Sequence, residues 1–221
     1  MNLAKVKGLK YPDEYFIRFF FKKNLHKEKK LNFLELGCAN ANNLSLAYSY
    51  NHRIIGVDID KTSIDNAKYN ISNLNLENNF EFFCENMIDF SKKQKNLNAD
   101  VLVLANSIYY ITKNDFLDML KNIKTNELIK KGSLFYLRFR APDDFRNHKG
   151  KKLAENSYIL DNGITGEDGC ICTFYEENEM IDILKNELNL SAFDSLKVKY
   201  DNIQNDTKVN NSDIVIWGTT S

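Results

Sequence analysis

Apolar and polar positions alternate along this chain in blocks that change period repeatedly. Leu31-Asn32-Phe33-Leu34-Glu35-Leu36 is a short, mostly apolar run, as is Arg53-Ile54-Ile55-Gly56-Val57, and each is short enough to be a buried strand. Between them a turn starts at Gly37 and a polar helix entrance spans Asn40 to Asn43. Further strands are predicted at Phe80 to Cys84, Asp100 to Ala105, Ser133 to Arg140, Leu196 to Tyr200 and Ile214 to Trp217, the last two joined by a polar turn around Asn205 to Asn211. Asp100 to Ala105 is the most apolar of them and reads as a strand buried on both faces. Helical stripes fall at Phe16, Phe19 and Phe20, at Ile64, Ala67, Ile71 and Leu74, at Phe116, Met119, Leu120 and Ile123, and at Met180, Ile183, Leu184 and Leu188. Pro12 suits a first helical position, so Tyr11 to Tyr15 is expected to open the leading helix; Asp60 is expected to cap the third. Strands alternating with helices predict an α/β protein with a mostly parallel sheet.

The first strand, turn, helix and second strand form a βαβ nucleotide-binding unit. Its second strand stops on Asp58, about 20 residues past the turn, where an acid receives ribose hydroxyls. The turn reads Glu35-Leu36-Gly37-Cys38-Ala39-Asn40-Ala41-Asn42-Asn43. It keeps only the first glycine of a dinucleotide loop, and resembles the E-x-G-x-G-x-G loop of class I S-adenosylmethionine (SAM) dependent methyltransferases. Gly56-Val57-Asp58-Ile59-Asp60 matches that family's acidic second strand. Ala39 and Ala41 stand where the pattern has glycines. Alanine disfavours positive φ, so both are expected at ordinary backbone angles.

The resemblance spans most of the chain. It implies a Rossmann-like class I methyltransferase fold: a seven-stranded, mostly parallel sheet with an antiparallel last strand and helices on both faces. It also implies SAM as cofactor and S-adenosylhomocysteine (SAH) as product. In that reading Gly37, Cys38 and Ala39 pass beneath the methionine portion, with Glu35 and Asn43 beside its amino acid end. Asp58 holds the ribose, Ile59 and Met87 flank the adenine, and Asn86 meets its edge; a turn-forming Asn is the alternative for Asn86. Asn106 and Ser107, at the end of the fourth strand, are placed beside the transferred methyl, Asn106 with the cofactor and Ser107 with the acceptor. Tyr11 is a candidate substrate contact, or else a packing residue.

The segment Ala141 to Thr173 is too long for an ordinary connection. With Arg138 and Arg140 it contributes Arg146, His148 and three lysines, the densest positive cluster of the chain. It is expected to form an acceptor pocket in which Arg138, Arg140 and Arg146 hold a phosphate or carboxylate; a solvated loop with internal ion pairs is the alternative. His148, Tyr109 and Tyr110 are the candidate catalytic bases. One methyltransferase domain over residues 1–221 is expected, with residues 1–30 as leading helix and lid and 141–173 as the insertion.

Composition narrows the partners. Thirty Lys and Arg balance thirty Asp and Glu, which removes the charge footprint of a general nucleic-acid binder. No apolar run approaches the roughly 18 residues of a membrane span. Four cysteines without a paired C-x-x-C spacing suggest a reducing, cytoplasmic setting and no metal site, Cys170-Ile171-Cys172 being read as a strand. The abundant asparagines are taken as compositional bias. The expected activity is methyl transfer to O or N of a small, anionic metabolite or sugar derivative. A nucleotide-dependent oxidoreductase and a non-catalytic SAM-binding module are the alternatives. The oligomeric state and the acceptor's identity are not legible.

Overall fold

The computed structural model describes residues 3–9, 11–74, 76 and 79–221. Helix α1 (Glu14–Lys22) begins two residues later than Pro12 predicts. The Asp13 carboxylate accepts the Tyr15 and Phe16 amides at 3.0 Å each and is the N-cap, so Pro12 precedes the helix. Phe16, Phe19 and Phe20 are fully buried, with Phe16 and Phe19 packed on Tyr136.

The expected alternation follows: β1 (Asn32–Leu36), α2 (Asn42–Ser49), β2 (Arg53–Asp58), α3 (Lys61–Ser72), β3 (Phe80–Cys84), α4 (Met87–Lys93), β4 (Ala99–Ala105), α5 (Lys113–Thr125) and β5 (Ile129–Arg140). Asp60 caps α3 as predicted, accepting the Thr62 and Ser63 amides. Three short strands, β6 (Gly150–Ala154), β7 (Ser157–Leu160) and β8 (Ile171–Thr173), precede α6 (Glu177–Leu188), and the long hairpin β9 (Leu190–Gln204) and β10 (Thr207–Thr220) ends the chain.

The main sheet has seven strands in the order β3-β2-β1-β4-β5-β10-β9, parallel from β3 to β5. β10 runs antiparallel to both its neighbours. Helices cover both faces. On β4 the alternation is explicit: Val101 and Val103 join α1, α2 and α3, whereas Leu102 and Leu104 join α4, α5 and α6. Chain order reverses between β1 and β4, and the carboxyl ends of parallel strands beside such a reversal form the usual ligand crevice.

Two expectations change here. Residues 141–173 are no mere loop, because β6, β7 and β8 pair into a separate antiparallel sheet whose Tyr158, Leu160 and Cys172 pack with Tyr109 and Phe174. The strands of the last hairpin also run far past their predicted ends, into the stretch expected as turn. Its polar residues pair with one another, and the reversal falls at Asn205 and Asp206, with φ of 48° and 59°. Two consecutive left-handed residues make the type I′ turn that matches strand twist.

Candidate active site

Gly37 leaves β1 at φ +82°, and a Cβ there would lie 2.3 Å from the Ser107 Cβ. Glycine therefore lets β1 and the end of β4 close on each other. The Ser107 hydroxyl then donates to the Leu36 carbonyl at 2.7 Å. Gly56 serves a second close approach, since its Cβ would meet the Phe82 ring at 2.6 Å and the Cys38 sulfur at 2.8 Å.

The two alanines of the loop are not at ordinary angles. Ala39 has φ 45° and Ala41 φ 63°. What holds the first is Asp58: its Oδ2 accepts the Ala39 amide at 2.8 Å while its Oδ1 accepts the Asp60 amide at 2.9 Å. The second closes a turn in which the Ala41 amide donates to the Cys38 carbonyl at 2.8 Å. The loop thus adopts the glycine-type path although two glycines are missing.

Residues 7–9 and 11–13 cross over this loop as a strap, held by side chains taken above for compositional bias. Asn40 donates to the Lys7 and Leu9 carbonyls at 2.9 and 2.8 Å and accepts the Leu9 amide. Asn70 accepts the Lys7 amide and donates back to the Lys7 carbonyl. Asn43 accepts the Asp13 amide, and Asn42 donates to the Tyr11 carbonyl.

Between this strap and the strand ends lies a cavity of about 790 Å³, within the usual range for a small-molecule site. All ten residues expected around a cofactor line it: Glu35, Gly37, Cys38, Ala39, Asn43, Asp58, Ile59, Asn86, Met87 and Asn106. So do Tyr11, Ser107, Tyr109 and Tyr110. Tyr11 is 67% exposed, so it is not a packing residue. Asn86 also caps α4, accepting the Ile88 amide at 2.8 Å. Sequence reasoning missed Leu9, Asp13, Asn42, Cys170 and Ile171, which belong to the strap, the loop and the insertion, and the apolar Ala105 and Ile111 on either side of the predicted residues 106–110.

Glu35 is fully buried at the floor. Its Oε1 accepts from Asn43 at 2.7 Å, while its Oε2 has no partner among the described residues. Burial, with Asp13 and Asp58 nearby, pushes its pKa up to about 8 despite the Asn43 hydrogen bond.

A second, polar chamber of about 270 Å³ adjoins the cavity across Asn106 and Tyr109. Arg138, Arg140 and Arg146 line it. They stand together beside the cavity, as an acceptor pocket requires, but they are not an open clamp. Arg138 binds Asp13 and Asp213 at 2.5 Å each. Arg140 binds Glu167 at 2.5 Å, touches the Cys172 sulfur, and lies 4.1 Å over the Tyr109 ring. Arg146 binds Asp144 at 3.0 Å and also Glu167. The carboxylate partners sit 21 to 125 residues away along the chain in the Glu167, Asp213 and Asp13 pairs, and only Asp144 was visible as a neighbour.

His148 lines neither space. It is exposed at φ 60° on the insertion, with Nδ1 bonded to the Tyr158 hydroxyl at 2.5 Å, which corrects its placement as a base within the site. Cys170 precedes β8 instead of lying within it. Among the described residues no His, Cys, Asp and Glu cluster suits a metal, and no helix is long and apolar enough to cross a membrane.

A parallel sheet reversing between β1 and β4, closed by an antiparallel β10 and carrying an acid-tipped β2 over a Gly37 turn, defines the class I SAM-dependent methyltransferase architecture. A family model described as a methyltransferase domain matches residues 27–190, and the chain belongs to that family. Solved structures share the fold. One is a SAM-dependent methyltransferase from Methanosarcina mazei, 16% identical over 89% of this chain and 97% of that one, at a TM-score of 0.60. Another is the Burkholderia thailandensis 1,6-didemethyltoxoflavin-N1-methyltransferase with its substrate and S-adenosylhomocysteine bound, 12% identical over 95% and 80%, at 0.61. A third is the Synechocystis magnesium protoporphyrin IX methyltransferase with bound SAM, 13% identical over 95% and 77%, at 0.57. Among curated proteins none matches the sequence.

Proposed function

We propose that the protein transfers the methyl group of SAM to an oxygen or nitrogen of a small, phosphate- or carboxylate-bearing acceptor in the cytoplasm. The observation that carries this reading is the adjacency of the two spaces, a cofactor-sized cavity opening beside a chamber lined by three arginines.

The donor end fits SAM on this chain's own features. The orphaned Glu35 Oε2 offers a buried acceptor to an ammonium. Asp58 uses two of about four lone-pair sites on backbone amides, which leaves acceptor capacity for two ribose hydroxyls. Ile59, 70% exposed in an otherwise polar turn, gives an apolar platform for a base. When bound, SAM supplies a methyl on a sulfonium with a neutral thioether as leaving group. The protein's part is alignment and exclusion of water, and positioning alone supplies at most roughly 7–11 kcal/mol in intramolecular analogues. The strap carries Leu9 and Tyr11 over the opening, and Tyr109 and Tyr110 form the wall toward the chamber.

Each arginine spends fewer than its five N–H groups on the bonds described above. A single carboxylate or phosphate is the group that the remaining donors match. The free cysteines accord with a reducing compartment.

The first test is calorimetric titration with SAH of the wild type and of Asp58→Ala. Micromolar binding that weakens at least tenfold in the variant supports the donor site; no wild-type binding overturns it. The acceptor is tested by product detection with phosphorylated and carboxylated metabolites against their uncharged analogues. Arg146→Ala is expected to raise KM about tenfold for the charged members alone, and an unchanged KM removes the anionic reading.

A further inference from the structure

We infer that the acceptor atom arrives without a proton to lose, as a carboxylate oxygen or an unprotonated ring nitrogen, and that aliphatic hydroxyls and ammonium groups are not substrates. This rests on the methyltransferase reading and narrows it. In the transfer a bond forms from the acceptor lone pair to the methyl carbon while the carbon–sulfur bond breaks and its pair stays on sulfur. A carboxylate gives a neutral ester and a neutral thioether; a ring nitrogen takes up the positive charge that sulfur loses. A hydroxyl or an ammonium must in addition hand a proton to something, and among the described residues that line the acceptor end none is a free base placed to take it.

The ionisable groups there are already committed. Asp13 is the carboxylate that lines the cavity at this end. Its Oδ1 accepts from the Tyr15 and Phe16 amides and from the Tyr136 hydroxyl at 2.7 Å; its Oδ2 accepts from Arg138 at 2.5 Å and Asn106 at 3.4 Å. Five donors exceed the roughly four lone-pair sites of a carboxylate. Burial pushes its pKa up, but Arg138 and these hydrogen bonds outweigh it and hold the group below its usual value.

Tyr110 points its hydroxyl at Glu167, to which it donates at 3.0 Å, and burial pushes its pKa up to about 12. Burial raises Tyr109 well above the usual phenol range, with Arg140 opposing. Glu167, behind them, is clamped between Arg140 and Arg146 and is held down to about 2 although burial acts the other way. Tyr11 and Cys170 also line the cavity, and neither has a carboxylate or imidazole hydrogen-bonded to its side chain in that lining to take its proton onward.

The side chamber adds two carboxylates. Asp144 accepts from the Arg146 amide and guanidinium and from the Ser212 amide. Asp213 spends its Oδ2 on two bonds from Arg138; burial pushes its pKa up with Arg138 opposing, and it is recessed in the chamber, off the main cavity where the methyl is delivered. Glu35 and Asp58 belong to the donor end. His148 is outside both spaces. Tyr109 and Tyr110, their rings tilted at 59° with centroids 4.5 Å apart, give that end an aromatic wall for a flat acceptor.

The experiment uses the full-length protein with saturating SAM and matched acceptors: benzoate and nicotinate against benzyl alcohol and benzylamine, extended to aliphatic carboxylates, azines and azoles with their alcohol and amine counterparts. Methylated product is read by mass spectrometry. At least one carboxylate or ring-nitrogen acceptor is expected to turn over about 100-fold or more faster than its alcohol or amine partner, the low end of what a missing general base costs. An alcohol or amine within tenfold of its partner overturns the inference. So does a preparation that binds SAH yet methylates none of the carboxylates or ring nitrogens. A preparation that does not bind SAH at all fails at the methyltransferase reading beneath it, so the two failures are told apart by the binding measurement.

Discussion

Ala39 and Ala41 show how much a single backbone angle can conceal. Intrinsic preference places alanine at negative φ, yet both sit in the left-handed region at a cost of roughly 1–2 kcal/mol each. The Asp58 carboxylate, reaching back from the next strand to the Ala39 amide, overrides that preference. Replacement by glycine should separate the two. Ala39 is half-buried, so Ala39→Gly loses little packing and relieves strain, offset by a more flexible unfolded chain; a net gain of about 0.5–1 kcal/mol is expected by denaturant melting. Ala41 is fully buried, and losing its methyl removes about 0.8 kcal/mol, so Ala41→Gly should be close to neutral. Equal gains would mean that strain is not what distinguishes them. Glu35 makes the other prediction at this scale. Its folded pKa of about 8 lies above the ordinary value of 4.5, so the folded, ligand-free protein keeps a proton that the unfolded chain has released. Its contribution to stability therefore falls as pH rises from about 4.5 to about 8 and is flat beyond, the reverse of a salt-bridged carboxylate. An ammonium arriving beside it favours the ionised form. SAH binding at pH 7 should release a proton, visible as a binding enthalpy that depends on buffer ionisation heat, and Glu35→Gln should abolish that dependence.

The elements were legible where the information is local. β1, the Gly37 turn, β2 and Asp58 follow from a few dozen consecutive residues, as do the stripes of α3, α5 and α6. The strap was not, because its bonds join Lys7, Leu9, Tyr11 and Asp13 to Asn40, Asn42, Asn43 and Asn70 across 30 to 63 positions, and an asparagine carries no mark of its partner. The arginine partners were hidden for the same reason, and the insertion sheet because its strands are three to five residues long. The strap makes a prediction of its own. Asn70 lies outside the cavity, yet it holds Lys7 by two hydrogen bonds, each worth about 0.5–1.5 kcal/mol net. Asn70→Ala should loosen the strap and speed SAH dissociation about tenfold, with faster amide exchange at Lys7. An unchanged dissociation rate would mean that the strap does not retain the ligand.

Across the whole molecule the sheet separates two apolar cores, one under α1 to α3 and one under α4 to α6, and the cavity draws its lining from residues 9 to 171. A ligand held there touches both halves of the sheet together with the strap and the insertion, so it binds only the assembled protein and must raise its melting temperature by mass action. At a concentration 100 times its dissociation constant the gain is about 2.7 kcal/mol. For a chain of this length that is roughly 5–10 °C. Asp58 enters this balance twice. In the free protein it satisfies the Ala39 and Asp60 amides, so Asp58→Ala should lower the melting temperature before any ligand is added. At the ligand concentration that shifts the wild type, the variant should show almost no rise. A variant that melts lower but keeps the full SAH shift would confine Asp58 to shaping the loop and would move the ribose contact elsewhere in the cavity.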